Sequence, residues 1–336
     1  MQPLPLPING PAYKNVDEVS LSITSPVLYD GYVDESGSTV KMPGLLEWLN
    51  LNTAYGVDGI YLWREKSIVI AVSGGRIFKI ISNGTATELT GATLNTGTRV
   101  SFTHNGTYCV MANGGQMVYT DGGTTASIMG DTDAPTAVSH VAFLDQYILA
   151  LEKYTGRFHY SDINDAINWD ALSFFTAEGM PDNLVALTIG DREIMLAGTD
   201  SIEIWYNDGS SPFARYEPGL ISDGIGAGHT FRKVGNTFFY LAADRRIKRL
   251  EGMNHVTVST PFDAEIQSYD TVFDATADII DIQGKAFYVL NFPIEGKTLF
   301  YNYKDDNWQE RTWWNLSQAT RERWLGNCYL YVSEWN

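Results

Sequence analysis

The sequence predicts an all-β fold, a β-propeller of six or seven blades. Three observations carry that reading. One strand-pair grammar recurs in six segments, its turns are separated by steps of 40, 41, 44, 44 and 52 residues, and no sustained helical stripe interrupts it. Blade-type repeats of four strands have periods of about 40–50 residues.

The recurring unit is a short apolar run, a tight Gly or Asp turn, and a second run alternating apolar and polar residues. It appears at Ile68–Ile81, Thr107–Thr120, Gln146–Ser161, Arg192–Tyr206, Asn236–Leu250 and Lys285–Tyr303, with turns at Gly75, Gly115, Gly156, Asp200, Asp244 and Gly296. The first run is rich in Val, Ile, Phe and Tyr and fits a strand covered on both faces. The second, as in Arg76-Ile77-Phe78-Lys79-Ile80, can show one face to water. Gly74-Gly75, Gly114-Gly115 and Thr155-Gly156 are expected to supply positive φ at the turns. A strand is expected before each pair, at Gly59–Arg64, Arg99–His104, Ser139–Leu144, Leu184–Ile189, Thr230–Val234 and Asp278–Ile282. A fourth is expected at Thr85–Leu89, Phe213–Tyr216, His255–Ser259 and Gln309–Trp314. Asp165–Leu172 and Ser317–Trp324 read as short helices. The expected organisation is an N-terminal arm with closing strand over 1–56 and a propeller over 57–336. Blades are expected near 57–90, 99–129, 138–175, 183–217, 230–259 and 277–314, with a last strand at 325–335. Pairing that strand with Val19–Val33 would close the ring and remove an open edge.

Composition narrows the function. With 23 basic and 40 acidic residues the formal charge is −17, the wrong sign for gripping phosphate backbones over a general surface. Two cysteines, Cys109 and Cys328, build neither a disulfide framework nor a zinc site. No apolar run approaches the roughly 18 residues of a membrane helix, and no membrane partner is expected. The Pro-rich start Met1–Pro11 carries no signal-peptide pattern, so synthesis in the cytoplasm is expected.

The search for chemistry finds no catalytic motif. His104, His140, His159, His229 and His255 are scattered without metal-ligand spacing, although a propeller can assemble a site from several blades around its axis. The Gly224–Gly228 run precedes a strand rather than a helix, unlike a phosphate cradle. Asp162, Asp165 and Asp170, and Asp131 with Asp133, do not follow an EF-hand; Asx turns account for them, with calcium the alternative. No cofactor, metal or catalytic residue is assigned. Trp308, Trp313, Trp314 and Trp324 form an aromatic concentration that reads either as a surface for a partner or as last-blade packing.

One stretch is more specific. Tyr160–Asp182 reads YSDINDAINWDALSFFTAEGMPD and is followed by a strand pair and a glycine-rich piece up to His229. It resembles the packaged-DNA stabilisation family of short-tailed bacteriophages, also called tail accessory or head-closure proteins. The matching positions are Ser161, Asp162, Trp169, Phe174, Ala177, Glu178, Pro181, Asp182, Ser201, Ile202, Glu203, Trp205, Tyr206, Gly224, Ala227 and His229. The opening NVDEVSLSITSPVLYDG and Met42–Leu45 resemble the family's N-terminal arm.

The resemblance implies a structural virion tail protein: a ring, typically of six copies, below the portal. Portal or adaptor proteins would lie above it and a tail needle, fibres or spikes below, with genomic DNA passing through without sequence-specific binding. Family members typically run beyond the last strand found here, whereas this chain stops at Asn336, and the resemblance leaves open either a missing C-terminal domain or a shortened relative. The matching residues read as structural, Trp169 and Phe174 anchoring an inter-strand loop and Pro181-Asp182 starting the next strand. Acidic residues are expected to face the axial passage, where attraction would brake DNA. The competing classes are a glycan-active propeller enzyme and a lectin-like binding module.

Overall fold

The computed structural model describes residues 29–33, 38–43, 48–209, 212–315 and 320–324, with the backbone alone over 313–315 and 320–323. A hairpin of β1 (Gly31–Val33) and β2 (Thr39–Lys41) leads into six four-stranded antiparallel meanders. Blade 1 is β3 (Val57–Trp63), β4 (Ile68–Ser73), β5 (Arg76–Ile81) and β6 (Ala86–Glu88). Blade 2 is β7 (Ser101–His104), β8 (Cys109–Ala112), β9 (Val118–Thr120) and β10 (Ser127–Ile128). Blade 3 is β11 (Val138–Leu144), β12 (Tyr147–Glu152), β13 (Arg157–Ser161) and β14 (Trp169–Thr176). Blade 4 is β15 (Leu184–Ile189), β16 (Glu193–Gly198), β17 (Ile202–Asn207) and β18 (Phe213–Ile221). Blade 5 is β19 (Arg232–Val234), β20 (Thr237–Leu241), β21 (Ile247–Glu251) and β22 (Asn254–Thr257). Helix α1 (Asp263–Gln267) leads to blade 6, formed by β23 (Thr276–Ile282), β24 (Lys285–Phe292), β25 (Lys297–Asn302) and β26 (Asn307–Glu310). A second hairpin, β27 (Thr312–Asn315) and β28 (Thr320–Arg323), follows.

The apolar second strand of each blade has a physical explanation in the packing. Successive side chains of β4 point to opposite faces, and all six of its residues are buried. Ile70 and Val72 pack with Cys109, Met111 and Val118 of blade 2, while Val69 and Ala71 face the other way. The same arrangement joins blades 2 and 3 through Val110, Ala112, Ile148 and Ala150. Leu149, Leu151, Ile194 and Leu196 join blades 3 and 4. Met195, Ala197, Phe238 and Tyr240 join blades 4 and 5, and Phe239, Leu241, Tyr288 and Leu290 join blades 5 and 6.

The junction between blades 6 and 1 is built differently. Among the described residues no apolar cluster joins these two blades directly. Tyr32, Val40 and Met42 of the leading segment cover Phe287, Val289 and Phe300 of blade 6. Leu49 and Leu51 cover Val69, Ala71 and Ile80 of blade 1. Polar contacts hold the segment in place: Thr312 donates its N–H to Asp30 at 2.9 Å and its hydroxyl at 2.6 Å, and Arg311 donates to the Pro43 carbonyl at 2.6 Å. Tyr29 also forms a parallel bridge with Glu310. The expected closing strand at 325–335 lies outside the described residues, as do most of Val19–Val33 and the arm Met1–Pro11.

Several local expectations need correction. Asp165–Leu172 is not helical; Asp165 accepts N–H bonds from Ile167 at 3.0 Å and Asn168 at 3.3 Å, an Asx turn that delivers the chain into β14. Within Ser317–Trp324 the described part is strand β28, while the short helix α1 falls where none was expected. Gln309–Trp314 divides between β26 and β27 around Arg311. Gly74, Gly75 and Gly114 do have positive φ, but in the turn between β12 and β13 that role falls to Tyr154, with φ 65°, rather than to Thr155-Gly156.

Candidate functional site

The first strands of the blades and the loops leading into them surround a cavity of about 720 Å³, a size common for ligand sites. Val57 and Asp58, Thr98 and Arg99, Ser139 and His140, Val185, Gly228 and His229, and Asp274 to Thr276 bring all six blades to its wall. Arg99 crosses to pair with Asp278 of blade 6, with both side chains largely buried. His140 and His229 stack with ring centroids 4.4 Å apart. Arg232 donates Nε–H to the Ala277 carbonyl at 2.9 Å.

Burial dominates the electrostatics here. It pushes His140 down to about 3, with Arg232 adding to the effect. Desolvation, then His140, Arg232 and Arg99, hold His229 well below the usual imidazole value. Both rings are therefore neutral at pH 7. Burial also lowers Arg232, against the opposing attraction of Asp278. Asp58 is raised by burial, although it accepts the Gly74 N–H at 3.0 Å and the Gly97 N–H at 3.4 Å. The wall mixes signs, Arg99 and Lys153 against Asp58 and Asp274. Side chains bridging the axis also leave no room there for a DNA duplex.

The family-motif residues lie mostly away from this cavity. Buried Ser161 accepts the Ile148 N–H at 3.0 Å and donates to the Asp162 carbonyl at 3.0 Å. Trp169 is buried between blades 2 and 3, and its backbone N–H donates to Asp131 at 2.9 Å. Phe174 lies under the Arg157 guanidinium at 4.8 Å. Ala177 is buried beside exposed Glu178. Exposed Pro181 precedes Asp182, which accepts from the Asp200 N–H at 2.8 Å, the Ser201 N–H at 3.0 Å and the Ser201 hydroxyl at 3.1 Å. Buried Glu203 accepts the Gly179 N–H at 2.6 Å and the Trp205 indole N–H at 2.9 Å. Ile202 is buried and Tyr206 exposed on the same strand. A Cβ at Gly224 would lie 1.7 Å from the Thr199 carbonyl oxygen, so only glycine fits that connection. Ala227 is buried, and of the whole motif only His229 lines the axial cavity.

The tryptophans divide. Trp308 is 2% exposed, donates its indole N–H to the Val258 carbonyl at 2.7 Å and packs on Phe262 and Tyr301; it is core, not partner surface. Trp324 is buried beneath Arg311 at 4.4 Å. Trp313 and Trp314 pair with Glu322 and Arg321 across the last hairpin. Among the described residues no group of three or more metal-ligating side chains gathers, and no helix is long and apolar enough to cross a membrane. Cys109 is buried and its thiol raised by burial, while Cys328 lies outside the described residues. Sequence reasoning missed Arg99, His140, Arg232 and Asp278 as a group, because residues such as Arg99 and Asp278, 179 positions apart, meet only when the ring closes.

The family described as "Bacteriophage P22 Gp10, beta-propeller", a phage stabilisation family, matches residues 27–334. The chain belongs to this family. Membership makes it a phage structural protein of the virion, and the six-bladed architecture agrees with the family's propeller description. No curated protein matches the chain. Among solved structures, YCF48 from Cyanidioschyzon merolae is similar with 12% identity and a TM-score of 0.51, over 81% of this chain and 88% of that one. Virginiamycin B lyase from Staphylococcus aureus is similar with 12% identity and a TM-score of 0.50, over 77% and 85% respectively. At such identities the likeness concerns the fold alone.

Proposed function

We propose that this protein is a ring-forming head-to-tail adaptor that helps close the portal channel, retain packaged DNA and dock distal tail parts. The family match across the whole propeller carries the reading. The plugged axis supports it, because DNA would then run through the centre of a ring of copies and not through one subunit. The charge of −17 supports it too, since an acidic protein offers phosphates little general attraction. In this reading the subunit is a rigid spacer and not an enzyme. Its partners are further copies of itself, in a ring of about six by the family resemblance, a portal or adaptor protein above, and a needle, fibre or spike below.

The test is a phage carrying a nonsense mutation in the gene for this chain. Heads are expected to package and then lose their genomes, with retention restored by the protein supplied in trans. Heads that keep their DNA and remain infectious without it would refute the adaptor role.

A further inference from the structure

The mouth of the axial cavity has a chemistry that structural packing does not require. Phe273 and Tyr154, each 75% exposed, and Ile294, 63% exposed, stand around it. Tyr154 is held outward by a turn in which its own φ is 65°. Deeper in, His140 Nε2, Asp274 Oδ1 and Thr276 Oγ1 are buried with no hydrogen-bond partner among the described residues. Buried polar atoms normally have partners, so three around one cavity point to a missing polar ligand or solvent.

Charge decides which class of ligand fits. The wall carries Arg99 and Lys153 against Asp58 and Asp274; behind it Arg232 faces Asp278, and the two imidazoles are neutral. An anion would meet carboxylates and a cation would meet the guanidinium and ammonium groups. A hydroxyl both donates and accepts, so a neutral polyol satisfies a mixed wall of this kind. The apolar C–H face of a sugar ring suits the exposed aromatic rims, as an amphipathic body suits a half-wet aromatic surface. We propose that the axial cavity binds neutral saccharides, with Phe273 and Tyr154 stacking on the ring and Asp274, Thr276 and His140 forming part of the polar wall that faces it.

The inference is independent of the adaptor reading, and either can fail without the other. Saturation-transfer NMR on the intact chain, with maltose, lactose and cellobiose beside glucuronate and glucosamine, tests it. Saturable binding of a neutral disaccharide is expected, with dissociation constants on the order of 1 mM. The double variant Phe273→Ala/Tyr154→Ala should weaken it at least about tenfold while leaving thermal unfolding unchanged, since both side chains are exposed. Absence of neutral-sugar binding, tighter binding of the charged sugars, or unchanged binding by the double variant would overturn it.

Discussion

Glu203 and the two axial histidines illustrate what single residues do here. The buried Glu203 carboxylate is held by the Gly179 and Trp205 N–H groups, with Arg215 4.0 Å away. Glu203→Ala leaves those donors unpaired and should cost about 2–4 kcal/mol in urea unfolding. His140 and His229 titrate below their ordinary value of 6.5, so the unfolded chain binds more protons in that range. Stability contributed by these neutral rings is therefore present above pH 6.5 and lost as pH falls below it, down toward about 3 for His140. The slope approaches about 1.4 kcal/mol per pH unit per histidine. Asp58, raised from 3.8 by burial, acts in the opposite direction, but only in the carboxylate range just above that value. Denaturation followed from about pH 7 to about pH 5 should show the loss, and His140→Gln should flatten it; an equal slope in the variant would refute the assignment.

At the scale of the element, the strand pairs were legible because burial on both faces demands a continuous apolar run. The short helices were not. Asp165–Leu172 has a helix-like capping residue, but Asp165 uses it for an Asx turn because Trp169 must enter a strand against Ser161. Asp131 reaches across from the preceding blade to fix the Trp169 N–H, a contact spanning 38 residues that no local pattern reveals. Asp131→Ala should lower stability slightly and raise hydrogen exchange at the start of β14. Gly224→Ala should destabilise by about 3 kcal/mol, because the Thr199 backbone cannot yield as a side chain would.

Across the whole molecule, five blade junctions share apolar clusters and the sixth is wedged by the leading segment. The repeat period could reveal the blades but not this seam, which depends on contacts such as Tyr32 with Gln283, 251 residues apart. Tyr32→Ala should cost about 3–5 kcal/mol and loosen β23 and β24 in hydrogen exchange before the other blades. Cryo-electron microscopy of the virion tests the central claim most directly. The account predicts a ring of six-bladed propellers around the DNA passage near the portal, with the genome running between subunits and each propeller axis closed by its own side chains. Mature particles without this chain, or DNA threaded through a single propeller, would contradict it.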